Sequence, residues 1–60
     1  SFVEYLTDTR MKEAMRLLKE TNEKIYVVAQ KVGYLESGYF SHVFKKKYGM
    51  SPIQCRRQGQ

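Results

Sequence analysis

The 60-residue chain has no tryptophan, one proline, one cysteine and one histidine. Cys55 alone closes no internal disulfide. With His42 as the only imidazole, the ligands for a zinc finger are missing, and a His-centred triad has little to draw on. No pair of carboxylates in a plausible cleft, no phosphate-cradling glycine loop and no nucleophile–base pair is apparent, so no enzyme, metal or cofactor is expected. Nothing approaches the run of about 18 apolar residues that spans a membrane. No basic, apolar and small-residue leader opens the chain, so secretion is not indicated and a cytoplasmic location is expected. Sixty residues fit one small domain, which buries only about 60% of the surface its unfolded chain exposes. Five tyrosines, three phenylalanines and 42% apolar residues are nevertheless the composition of a folded chain.

Acid is also missing, but only from one end. Arg10, Lys12, Arg16, Lys19, Lys24 and Lys31 are balanced by Glu4, Asp8, Glu13, Glu20, Glu23 and Glu36. Beyond Glu36 the chain holds Lys45, Lys46, Lys47, Arg56 and Arg57 and no acid, so the entire net charge of +5 lies in the last 24 residues. A run such as Lys45–Lys47 is by itself an ordinary solvated helix face. A one-sided excess in a folded domain points to a polyanion, because each neutralised phosphate releases condensed counterions.

The apolar spacing predicts helices only. Leu6, Met11, Ala14, Met15, Leu17 and Leu18 form a stripe along residues 2–20, with Ser1 as its cap and Glu13–Arg16 as a supporting pair. Thr21-Asn22 ends it, since both residues prefer caps and turns. Ile25, Val28, Ala29 and Val32 mark a second helix over 24–32, stopped by Gly33. The run Ile25–Val28 also suits a strand, but no partner strand exists to pair its backbone. Phe40, Val43, Phe44 and Tyr48 mark a third helix over 36–48, stopped by Gly49. Ser51 and Pro52 open a short fourth helix as cap and first residue. Gln58-Gly59-Gln60 is expected to fray. Met11, Met15 and Met50 read as core filler, and Cys55 as a packed small hydrophobe rather than a reactive thiol. Residues 1–5 echo residues 51–55, which suggests that Ser1 begins where an earlier copy of the same unit ends.

The middle of the chain fits a helix-turn-helix. Ala29 supplies the small residue where two helices meet, Gly33 the turn, and Phe40 and Phe44 the anchors of the second helix. In such a unit the second helix enters the major groove with its N-terminal residues at the base edges. Burial of Phe40, Val43 and Phe44 leaves Ser37, Gly38, Ser41, His42 and Lys45 facing outward, a polar and cationic face suited to a groove. Tyr39 is divided between packing edge and groove.

The stretch Ile25-x-x-Val28-Ala29-x-x-Val32-Gly33-Tyr34-x-x-x-x-Tyr39-Phe40-Ser41-x-x-Phe44-Lys45-Lys46-x-x-Gly49-x-Ser51-Pro52 closely resembles the signature of the AraC/XylS family of bacterial transcription regulators. Tyr5-Leu6-x-x-x-Arg10-x-x-x-Ala14-x-x-Leu17-Leu18-x-x-Thr21 resembles that family's linker helix. The resemblance implies an all-α fold: a homeodomain-like helix-turn-helix unit over 22–60 with a short C-terminal helix, preceded by a linker helix over 1–21. It implies that the family's first helix-turn-helix unit and sensor domain are absent from these 60 residues. It implies base contacts from Ser37, Gly38, Tyr39, Ser41 and His42, and phosphate contacts from Lys45 and Lys46. The sequence departs from the family pattern at His42, where arginine is usual, and at Gly38, where a polar residue is usual. Val27 replaces a frequent acid and is expected to be exposed. Cys55 replaces a common tyrosine and offers a smaller packing contact.

The expected activity is sequence-specific binding of double-stranded DNA within a transcription regulator. The alternative is a protein-interaction module that self-associates through the face of residues 2–18 left open by the missing first unit. A membrane surface would attract the same charge, but the absence of tryptophan and the presence of Gly38 suit residues 36–48 poorly to it.

Overall fold

The computed structural model describes residues 1–59 and contains four helices: α1 (Phe2–Glu20), α2 (Ile25–Lys31), α3 (Ser37–Tyr48) and α4 (Pro52–Gln58). No strand occurs among these residues.

Local chemistry sets each boundary. The Ser1 hydroxyl accepts from the Glu4 N–H at 3.3 Å and starts α1. At its other end Thr21 turns extended, and its hydroxyl donates to the Leu17 carbonyl at 2.6 Å. Helix α2 ends in a Schellman turn. Gly33 sits at φ +101°, its N–H donates to the Gln30 carbonyl, and the Tyr34 N–H donates to the Ala29 carbonyl at 2.8 Å. Glycine takes this left-handed conformation without steric cost. Gly49, at φ +79°, ends α3 in the same region. Ser51 and Gln54 form a reciprocal capping box around Pro52, which satisfies two orphan donors at the start of α4.

Helix α1 packs on α2 and α4, and α3 packs on α2 and α4. Met11, Ala14, Leu17 and Leu18 of α1 meet Val28 and Ala29 of α2, Phe40 and Phe44 of α3 and Cys55 of α4 in one core. The second half of α1 therefore belongs to the same packed body as the helix-turn-helix. Phe40 and Phe44 are fully buried, as their anchor role requires. Met15 and Met50 pack against the core edge. Cys55 is buried with its thiol 3.2 Å from the Met15 sulfur.

One expectation is corrected: Val27 is half-buried rather than exposed. In the segment expected to fray, Gln58 is helical and the Gly59 N–H donates to the Cys55 and Arg56 carbonyls; Gln60 lies outside the described residues.

Three ties join distant segments. The Arg56 guanidinium donates to the carbonyls of Leu18 (3.0 Å), Glu23 (2.6 Å) and Thr21 (3.2 Å), fastening α4 to the end of α1 and to the turn before α2. The Lys47 ammonium donates to the Asp8 carboxylate at 2.9 Å, joining α3 to the first half of α1. Arg10 lies over the Tyr34 ring at 5.4 Å and beside Gly33, where an added Cβ would come within 3.3 Å of the guanidinium.

Replacing Arg56 by alanine leaves three carbonyls without their charged donor, and a loss of about 2–4 kcal/mol is expected in urea unfolding. Arg56→Lys is expected to recover only part of this, since an ammonium cannot reproduce the planar fork. The Asp8–Lys47 pair sets a pH window. Its hydrogen bond, then its charge, holds the Asp8 carboxyl below its ordinary 3.8. The same bond holds the Lys47 ammonium above its ordinary 10.5. The contribution of Asp8 is thus present above 3.8 and is lost as pH falls through the lower folded value. That of Lys47 is present below 10.5 and is lost as pH rises through the higher folded value. In an NMR titration the Asp8 midpoint is expected to rise toward 3.8 in Lys47→Met; an unchanged midpoint would rule out Lys47 as the cause.

Candidate nucleic-acid interface

Helix α3 turns two adjacent rows toward solvent, each spaced four residues apart: Ser37–Ser41–Lys45 and Gly38–His42–Lys46. Gly38, His42, Lys45 and Lys46 are exposed, and Ser37 and Ser41 are half-buried. These six residues share one surface because the opposite face of the helix is pinned by Phe40 and Phe44. Tyr39 flanks this surface. Its ring is exposed at 59% but packs 5.9 Å from Tyr34, so it shares packing with reach toward solvent.

The start of α3 holds a feature that the spacing of apolar residues does not show. Glu36 is the cap: its carboxylate accepts from the N–H of Gly38 at 3.0 Å and of Tyr39 at 2.6 Å. A Cβ at position 38 would lie 3.0 Å from both carboxylate oxygens. Glycine at 38 therefore gives the folded-back glutamate its room. A glutamate two residues before a glycine at a helix start is the signal that would have found it.

The basic excess divides by role. Lys47 is engaged by Asp8, and Arg56 by backbone carbonyls. Lys45, Lys46 and Arg57 are exposed and pair with no acidic side chain. Lys45 and Lys46 also stand in the last turn of α3, where cations complement the negative end of the helix dipole.

Beside α3 runs a groove of about 480 Å³ between its flank and the first half of α1, walled by Val3, Thr7, Tyr34, Tyr39 and Val43, with His42 and Lys46 on its rim. Phe2, Val3 and Tyr5 at the start of α1 are 76%, 70% and 69% exposed. Among the described residues no three His, Cys, Asp or Glu side chains gather as a metal site, and no helix is long and apolar enough to cross a membrane.

A family profile described as a helix-turn-helix domain matches residues 1–58. An uncharacterised transcriptional regulator of Bacillus subtilis, YisR, is 46% identical over 54 residues, which cover 90% of this chain and 19% of that protein. The urease operon transcriptional activator of Escherichia coli is 37% identical over 60 residues, covering 100% of this chain and 20% of that protein. The C-terminal domain of AraT, a response regulator from Geobacillus stearothermophilus, superposes with a TM-score of 0.94 at 46% identity, covering 97% of this chain and 48% of the solved one. The chain thus spans about a fifth of the length of these curated relatives and about half of that solved domain. The first two bear the names of transcriptional regulators, and the solved domain shares the four-helix arrangement described above; the chain belongs to the AraC/XylS family of helix-turn-helix transcription regulators.

Proposed function

We propose that the chain binds duplex DNA sequence-specifically, with α3 in the major groove, as part of a bacterial transcription regulator acting in the cytoplasm by binding and not by catalysis. The observation that carries this reading is the outer surface of α3: hydroxyls, an imidazole and two ammonium groups free of acidic partners, on a helix anchored by two buried phenylalanines. In this reading Ser37, Ser41 and His42 meet base edges, and Tyr39 reaches them from the flank. Gly38 gives close approach; its N–H already belongs to Glu36. Lys45 and Lys46 meet phosphates. Residues 1–21 serve as the linker helix and 22–60 as the helix-turn-helix unit.

The test is a fluorescence-anisotropy titration against a randomised duplex pool at two salt concentrations. Binding is expected to be weak and to fall steeply with salt, because the affinity of a single unit rests chiefly on phosphate contacts. Lys45→Ala with Lys46→Ala is expected to weaken all sequences alike and to reduce the salt slope by about 2, roughly one per contact. Changes at Ser41 or His42 are expected to alter preference at single base positions, by about 1–3 kcal/mol each. Equal losses on every sequence would remove His42 as a reader, and binding indifferent to salt would sink the phosphate-tracking surface.

Of the face over 2–18 expected to lie open, Met11, Ala14, Leu17 and Leu18 are instead buried in the chain's own core; the exposed Phe2, Val3 and Tyr5 at its start favour a second property, self-association through that end of α1. Sedimentation equilibrium is expected to show mass rising with concentration; a strict monomer over a wide range excludes it.

A further inference from the structure

Three of the chain's four sulfur-bearing side chains border one cavity. Met15 of α1, Met50 in the turn between α3 and α4, and Cys55 of α4 wall a space of about 270 Å³. The Cys55 thiol donates to the Met15 sulfur at 3.2 Å. We propose that this cavity is a binding site for a soft monovalent metal ion, copper(I), held by the Cys55 thiolate and the thioethers of Met15 and Met50.

Packing by itself explains a sulfur in a core, and the fully buried Met11 is packed in that way. The other three border open space instead. They stand at positions 15, 50 and 55, so no motif spacing gathers them; the fold does. Met15 and Met50 are half-buried at the edge of the core. A methionine has three rotatable bonds, so each thioether has the freedom to turn onto an ion.

The donor set chooses the ion. Thiolate and thioether are soft ligands and select copper(I). No imidazole or carboxylate is among the described residues on the wall, which leaves zinc short of its usual four ligands and magnesium or calcium without their oxygens. Charge points the same way. One thiolate neutralises one monovalent ion, whereas a divalent ion leaves an excess positive charge that a cavity walled by Lys19 and thioethers does not compensate. On binding, the S–H bond of Cys55 breaks, its proton leaves to solvent and a sulfur–copper bond forms; neither element changes oxidation state. The bound ion joins α1, the α3–α4 turn and α4, reinforcing the corner that Arg56 already ties.

The test is an anaerobic titration of the chain with copper(I) held by bicinchoninate, whose colour is lost as the metal moves to the protein. Transfer of one ion per chain is expected, with release of a proton and a higher thermal midpoint, because a ligand of the folded state stabilises it. Met15→Leu and Met50→Leu are each expected to weaken binding by about tenfold or more, since loss of even an outer-shell partner costs a metal site about 10–100-fold. Met11→Leu, a nearly volume-conserving change at the sulfur outside the cavity, is expected to bind as the wild type does. Cys55→Ala is expected to abolish binding, with circular dichroism verifying that the helices remain. Binding by both Met15→Leu and Met50→Leu at wild-type strength overturns the site, because the thiol alone then holds the metal. A species with two chains per ion, a thermal midpoint that falls through metal capture by the unfolded chain, or no transfer from bicinchoninate overturns it as well. None of these outcomes bears on DNA binding, which stands or falls separately.

Discussion

The hydrogen bonds of Arg56 hold together what the helices alone would not. The last carbonyls of an α-helix have no partner within the helix, and they carry the negative end of its dipole. Arg56 brings a planar cation to that end from 33 to 38 residues away and meets Leu18, Thr21 and Glu23 at once. The clamp spans the turn that joins α1 to α2, because Thr21 and Glu23 lie in it. Helix α2 in turn supplies Val28 and Ala29, on which Phe40 and Phe44 of α3 rest. The presentation of the α3 surface is thus settled partly by a residue at the far end of the chain. The dependence is acute because the domain is small. Stability of about 0.05–0.15 kcal/mol per residue leaves a chain of this length little margin.

The clamp also changes how the net charge should be understood. A count of +5 in the last 24 residues treats all five cations as equivalent. Arg56 serves a helix end and Lys47 serves Asp8. Both are already hydrogen-bonded within the fold, so neither is free to neutralise a phosphate without breaking a tie between helices. The number of displaced counterions should follow Lys45, Lys46 and Arg57, not the formal charge. Lys45 and Lys46 lie on the proposed reading face itself, which binds the electrostatic contribution to the same helix that carries the polar groups.

What could be read in advance was what acts over short distances along the chain. Four helices, their caps at Ser1 and Ser51, the left-handed stops at Gly33 and Gly49 and the anchors Phe40 and Phe44 each depend on residues within a turn or two of one another. Arg56 and Lys47 were legible only as charges, since their partners are 33 to 39 residues away. Val27 is expected to be exposed because it stands where the family pattern has a frequent acid, yet it is half-buried. The role of Gly38 was hidden for a different reason. A missing side chain reads as a missing contact until the group that fills its space is identified, and here that group is the carboxylate of Glu36.

The proposed reading face is chemically modest. It has no arginine to form the bidentate guanine contact that is the commonest specific one. Serine hydroxyls donate and accept, so they discriminate weakly. In the proposed reading the His42 imidazole offers the one sharp contact. At about 1–3 kcal/mol per good contact, one such reader falls short of the roughly 4–10 kcal/mol that separates typical specific from non-specific binding. If α3 reads DNA as proposed, the remaining discrimination would come from a second reading element or from the shape of the site. The relatives, about five times as long, and solved domains about twice as long leave room for such an element. The surface nearest to hand is the start of α1, where Phe2, Val3 and Tyr5 lie open beside the groove that borders α3. Tyr34 lines that groove, packs on Tyr39 and lies under Arg10, so α1 and the flank of α3 meet through one aromatic contact.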